Sequence, residues 1–216
     1  MGGRGANSIR KGFANTAFAK GTKTAKTKAK EATAEVGGGG SSSEASMLKE
    51  FSDWKASLNK DQIAAFAAYT NGSYVKMNSD LRGISEGGAG TKAQNKALIS
   101  SFNHTLTKDV TVYRGTGTAD AKLLKEMTTV GGVFRDKGAF STSLSKTFAR
   151  SWASSHPNSV VYTVRLPKGF KNSAYVQSIS PHKSEKELLI KPGQNWRIVK
   201  QLESLNGRPH YEITPV

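Results

Sequence analysis

From residue 47 onward, apolar positions first recur at intervals of three and four and later fall into short β-branched runs. Leu48, Phe51, Trp54 and Leu58 share one face of a helix. Asp61 reads as the N-cap of a second helix running to about Tyr69. Further helices are expected over residues 74–82, 92–102 and 119–127. Strands are expected over residues 110–114, 139–142, 160–166, 187–190, 197–200 and 210–214. Helices first and strands later describe an α+β domain, with an N-terminal helical layer beside an antiparallel-rich β core.

Three polar clusters sit on or beside these strands: Tyr113-Arg114-Gly115, Phe140-Ser141-Thr142-Ser143 and Glu185-Lys186-Glu187. Arg114 and Ser141 are 27 residues apart, and Ser141 and Glu187 are 46 apart. If all three residues of the last cluster are on a strand, Glu185 and Glu187 point the same way, about 6–7 Å apart at ~3.3 Å of rise per residue. Ser141 and Ser143 likewise share a face, with Thr142 on the other. A planar cation such as Arg114 matches a diphosphate in bidentate fashion. Paired carboxylates suit the cleavage of a glycosidic bond, one stabilising a ribosyl cation and the other accepting a proton. Taken singly, each cluster has an ordinary explanation: a solvated Glu-Lys-Glu face, Ser-Thr-Ser turn chemistry, and an exposed Arg-Gly strand end.

In this order the clusters resemble the arginine-specific mono-ADP-ribosyltransferases, the branch that contains actin-modifying binary-toxin enzymes and several bacterial effectors. The resemblance covers roughly Met47 to Val216. It takes in the helical stretch from Tyr69 to Gly83, with its Tyr, Asn, Leu and Arg, and the closing stretch from Glu187 to Ile198. It implies a single transferase domain with a two-sheet β core and an NAD cleft, with NAD as co-substrate and no metal. Glu187 would hold the nicotinamide ribose and stabilise the cation, and Glu185 would address the acceptor guanidinium. Ser141 would orient Glu187, Thr142 and Ser143 would support the nicotinamide pocket, and Arg114, with Gly115 beside it, would bind the phosphates. A Glu instead of Gln at position 185 implies an arginine acceptor. The setting implied is a bacterial toxin or effector, or a phage enzyme that modifies host proteins.

Two segments border the site. Residues 145–152 read as a short helix, on which Leu144, Phe148 and Trp152 recur every fourth position as a core-facing stripe. The family has an aromatic that stacks on nicotinamide near here, with an arginine following, for which Phe148 and Arg150 are the candidates. Residues 175–184 carry turn-forming types and read as a mobile loop, which by resemblance is the substrate-recognition loop. His182 and Lys183 within it are candidates to contact the target or NAD, and solvent exposure explains them equally well.

Composition narrows the alternatives. The 216 residues contain no cysteine, which excludes a disulfide framework, a thiolate nucleophile and a cysteine zinc site. The histidines at 104, 156, 182 and 210 show no metal-ligand spacing. No apolar run approaches the ~18 residues of a membrane span, and no Gly-x-Gly-x-x-Gly fingerprint follows a strand. The net charge is +16. Residues 1–46 form a Lys-rich, low-complexity tail ending in Gly37-Gly38-Gly39-Gly40-Ser41-Ser42-Ser43, expected to be disordered by itself. Residues 47–216 form the catalytic domain. The basic surface steers the chain toward acidic partners. DNA or RNA contact through the tail therefore stands as a second reading, with a non-enzymatic virion protein as its extreme form. An NAD glycohydrolase, with water as acceptor, is the nearer alternative.

Overall fold

The side chain of Ser43 accepts a hydrogen bond from the Ser46 N–H (3.2 Å) and so opens the first helix, α1 (Glu44–Glu50). The computed structural model describes residues 43–117, 121–155 and 158–216; most of the expected tail, residues 1–42, and His156 lie outside them. Residues 44–46, expected in the tail, belong instead to α1. The helical stripe beginning at Leu48 is divided at Phe51, which separates α1 from α2 (Ser52–Ala56). Met47 takes the fully buried place on α1, while Leu48 is exposed.

The next helix, α3 (Lys60–Ala68), is capped by Asn59, where the sequence suggested Asp61. The Asn59 side chain accepts from the Gln62 N–H (2.9 Å), and the Gln62 side chain accepts from the Asn59 N–H (3.0 Å). This reciprocal box satisfies two otherwise unpaired donors. Asp61 sits in the first turn, where its charge complements the helix dipole. A wide turn over Tyr69–Ser73, with Gly72 at φ +114°, redirects the chain into α4 (Tyr74–Leu81). Helix α5 (Ala89–Ser100) completes the helical layer.

The strands follow as β1 (His104–Thr105), β2 (Val110–Gly117), β3 (Val133–Arg135), β4 (Phe140–Ser143), β5 (Ser159–Leu166), β6 (Lys171–Tyr175), β7 (Glu187–Ile190), β8 (Asn195–Leu205) and β9 (Arg208–Pro215). Helix α6 (Ala121–Glu126) separates β2 from β3, and α7 (Lys146–Ser154) separates β4 from β5. The spatial order is β1-β6-β7-β4-β2-β5-β9-β8-β3, with β5 and β9 parallel and all other neighbours antiparallel. The α+β architecture with a mostly antiparallel core is therefore present. Where two sheets were expected, the nine strands are hydrogen-bonded in one continuous sheet; its two blocks, β1-β6-β7-β4 and β2-β5-β9-β8-β3, meet at a narrow seam whose ladder pairs Tyr113 with Ser143. The candidate site lies along that seam.

A run of aromatic contacts fastens the helical layer to the sheet. Phe51 meets Trp54 (5.7 Å between centroids), Trp54 meets Phe66 (5.4 Å) and Phe66 meets Phe102 (5.8 Å), each edge-on. Phe51 also reaches Tyr175 of β6 at 6.2 Å. Such pairs contribute about 0.5–1.5 kcal/mol each beyond burial. Helix α7 buries Ala149, Trp152 and Ala153. A Cβ on Gly115 would lie 2.3 Å from the Ala149 carbonyl oxygen, so the bare backbone of β2 is what lets α7 settle there.

Gly115→Ala is accordingly expected to destabilise the fold by about 1–3 kcal/mol and to lower the melting temperature by several degrees. A Cβ on Gly90 of α5 meets nothing within 4 Å, so Gly90→Ala should leave the melting temperature unchanged or raise it. Differential scanning calorimetry of the two variants checks both.

Candidate active site

Strands β4 and β7 pair antiparallel, with Ser143 opposite Glu187, Thr142 opposite Leu188 and Ser141 opposite Leu189. Cross-strand partners point to the same side, so Ser141, Ser143 and Glu187 share a face and Thr142 points away. All three hydroxyls are used. Ser141 Oγ donates to Glu187 Oε1 at 2.5 Å, Thr142 Oγ1 to the Leu188 carbonyl at 2.6 Å, and Ser143 Oγ to the Glu185 carbonyl at 2.6 Å. Ser143 Oγ also accepts from the Ser145 N–H at 2.9 Å. The Ser-Thr-Ser strand thus clamps the segment that carries both glutamates.

The two glutamates reach this region by different backbone routes. Glu187 opens β7 and is 5 % exposed. Glu185 is not on the strand: it ends a 3₁₀ turn, Lys183–Glu185, and Lys186 follows in the left-handed conformation at φ +47°. Strand alternation therefore does not relate the two carboxylates. Each nevertheless lies within electrostatic reach of a tyrosine of the helical layer. Burial, then the charge of Glu187, raises the Tyr69 hydroxyl pKa above its ordinary value, with the Asn78 hydrogen bond opposing. Burial, then Glu185, does the same to Tyr74. The two tyrosine rings lie 6.2 Å apart. Glu187 is thus enclosed while Glu185 is half-exposed, an arrangement that suits one carboxylate to substrate charge and the other to an incoming group.

Arg114 is 1 % exposed, not at an open strand end. Its guanidinium donates to the Ser141 carbonyl at 2.6 Å, lies 4.0 Å from Asp136 and sits 4.3 Å above the Phe140 ring. Arg82 at the end of α4 makes a bidentate pair with the same Asp136, both bonds at 2.9 Å. Burial lowers the Arg114 pKa, and Asp136 opposes that shift; an arginine remains cationic under such a shift. Asn78 completes the wall, donating to the Tyr69 hydroxyl (3.0 Å) and accepting from the Ala139 N–H (2.9 Å).

The remaining expected residues divide. Gly115 packs beneath α7. Phe148 is partly buried with Trp152, Ala153 and Val161, and Leu144 packs on the main core, as the stripe suggested. Arg150 is half-buried on α7, its Nε enclosed with no hydrogen-bond partner among the described residues. In the loop, His182 donates its N–H to Ser180 Oγ at 3.0 Å, and the Lys183 carbonyl accepts from Gln177 at 3.2 Å. Asp136 escaped the sequence reading, because Arg135-Asp136-Lys137-Gly138 has the composition of any surface turn.

With this geometry in hand, comparison with known proteins gives a consistent result. The family model for the ADP-ribosyltransferase exoenzyme domain matches residues 47–214, and the chain belongs to that family. It is an ADP-ribosyltransferase with NAD as co-substrate. Among solved structures, Plx2a, an ADP-ribosyltransferase toxin from Paenibacillus larvae, superposes with a TM-score of 0.64 at 23 % identity, over 78 % of this chain and 92 % of that one. BECa of a C. perfringens binary enterotoxin, solved with NADH, gives 0.63 at 17 % identity, over 78 % of this chain and 46 % of its own length, so this chain spans about half of that protein. The ADP-ribosyltransferase Vis in complex with agmatine gives 0.62 at 21 % identity, over 80 % and 84 %. No curated protein matches by sequence. Among the described residues, no cluster of His, Asp or Glu is arranged to hold a metal ion.

The buried charges yield a stability prediction. Asp136→Asn leaves Arg82 and Arg114 without their shared anion and should cost about 3–5 kcal/mol. Arg82→Met with Asp136→Leu should recover only the part of that loss that comes from Arg82, since the buried Arg114 also faces the lost anion. Urea denaturation of the two variants measures the difference.

Proposed function

We propose that this transferase is arginine-specific: it cleaves NAD, releases nicotinamide and places a single ADP-ribose on arginine side chains of a target protein. The observation that carries the reading is the division between the two glutamates. Glu187 is buried, hydrogen-bonded by Ser141 and fixed by strand register, while Glu185 is half-exposed at the end of a turn.

Nicotinamide leaves with the electron pair of the glycosidic C–N bond, and an oxocarbenium-like ribosyl cation develops. Glu187 is the carboxylate that stabilises this cation and holds a ribose hydroxyl. Ser141 fixes which way it points, and the Tyr69–Asn78 wall keeps water from competing for it. The acceptor guanidinium attacks C1′ and must lose a proton as the new C–N bond forms. Glu185 is the base that takes it, and its partial exposure lets a protein side chain reach it. Arg114 and Arg150 supply positive charge for the diphosphate. Arg114 also fixes the Ser141 carbonyl, so in its case phosphate binding and site bracing are one device. That the related fold of Vis accommodates agmatine, a guanidinium compound, supports the acceptor assignment. The catalytic unit lies within residues 44–216.

Incubation with adenine-labelled NAD and bacterial or eukaryotic lysate, followed by mass spectrometry of labelled proteins, tests this. Label confined to arginine supports the reading; label on another residue type contradicts it. Glu187→Gln is expected to lower both nicotinamide release and transfer by about 10²–10³-fold or more. Glu185→Gln should lower transfer by about 10²-fold while nicotinamide release with water as acceptor stays within about fivefold of wild type. Equal losses in both activities would remove Glu185 from the acceptor side.

A further inference from the structure

The loop between β6 and β7, residues 176–186, is tied at both ends to the first helix by one carboxylate. Near its start, Gln177 is 6 % exposed; its Oε1 accepts from the Tyr175 hydroxyl at 2.9 Å, and its Nε2 donates to Glu44 Oε1 and to the Lys183 carbonyl. At its end, Lys186 Nζ meets Glu44 Oε2 at 2.9 Å. Lys186 is the left-handed residue between the two glutamates, and its carbonyl accepts from the Leu144 N–H at 3.1 Å. Glu44 thus grips the second and last positions of the segment that carries Glu185, from a helix far away in sequence.

We propose that Glu44 is a positioning residue: by holding Gln177 and Lys186 together it sets the acceptor side of the site, and so determines how ADP-ribose divides between a guanidinium and water. This rests on the acceptor role proposed for Glu185. The two glutamates depend on Glu44 unequally. Glu187 is placed by the β4–β7 register and by Ser141, neither of which involves α1. Glu185 is placed by a short turn whose flanks Glu44 joins. The ion pair is substantially exposed, with side-chain exposures of 40 % and 38 %. A pair of that kind contributes little to global stability but is enough to bias a surface loop between alternatives. Hydrogen bonds from Lys186 and then Gln177 hold the Glu44 carboxyl below its ordinary pKa, so it is ionised wherever the enzyme works near neutrality.

The test uses the whole chain, NAD, and agmatine as a soluble guanidinium acceptor, measuring nicotinamide release and ADP-ribosyl-agmatine in the same reaction. In Glu44→Gln, nicotinamide release should stay within about twofold of wild type, while the fraction captured by agmatine falls about threefold. Lys186→Gln should shift the fraction by a similar factor, and the double variant no further, because both remove one contact. The difference from wild type should shrink in about 0.5 M salt, where wild type itself loses the ion pair. A helix-terminal role for Glu44 alone would leave Lys186→Gln without effect, and that result would overturn the proposal. So would an unchanged capture fraction in Glu44→Gln, or a parallel fall of both readouts. If wild type releases nicotinamide but forms no agmatine adduct, the arginine reading itself fails, and this one with it; an adduct whose yield ignores Glu44 removes only the latch.

Discussion

The site depends on three adjacent hydroxyls reaching across one strand boundary. Ser141, Thr142 and Ser143 each donate to a different point between Glu185 and Leu188. Neutral bonds of this kind contribute about 0.5–1.5 kcal/mol each, and the one to the ionised Glu187 more. Their larger effect is geometric. With the strand register fixed and every hydroxyl engaged, Glu187 cannot rotate away or slide along β4 without breaking several contacts together. A carboxylate enclosed to this degree needs such a partner, since burying it without a hydrogen bond would favour its neutral form.

The second constraint is charge balance around that carboxylate. Arg114 and Arg82 share Asp136, and Glu187 lies within electrostatic reach of the same tyrosine as both arginines. Two cations and two anions are therefore enclosed at the seam between the two blocks of the sheet. Breaking the set is costly, while the set intact gives the seam a fixed polar floor. Gly115 explains why the seam can close over it: without a Cβ, β2 passes directly under the Ala149 carbonyl of α7.

Much of this was legible in the sequence, and the failures have specific causes. Alternation correctly placed Ser141 and Ser143 on one face with Thr142 on the other, because those residues do lie on a strand; that Glu187 shares their face came only from the cross-strand register. It failed for Glu185, because nothing in Ser184-Glu185-Lys186-Glu187 marks a left-handed turn; Lys186 takes that conformation with no Gly or Asn to announce it. The charge of Arg114 was legible and its burial was not, since its counter-ion comes from a turn 22 positions further on. Strands β1, β3 and β6 escaped because they are short or polar; Lys171-Asn172-Ser173-Ala174-Tyr175 carries a positive φ at Asn172. The cap at Asn59 was passed over for Asp61, two positions on, although Gln62 completes the box that favours it.

The central claim is that this buried glutamate and its half-exposed neighbour together direct ADP-ribose to a guanidinium. The most direct measurement is product analysis by mass spectrometry after wild-type enzyme is given NAD and excess agmatine, with nicotinamide quantified alongside. ADP-ribosyl-agmatine formed in step with most of the nicotinamide released is the predicted result. Nicotinamide accompanied only by free ADP-ribose, at every agmatine concentration, would contradict it and make water the acceptor.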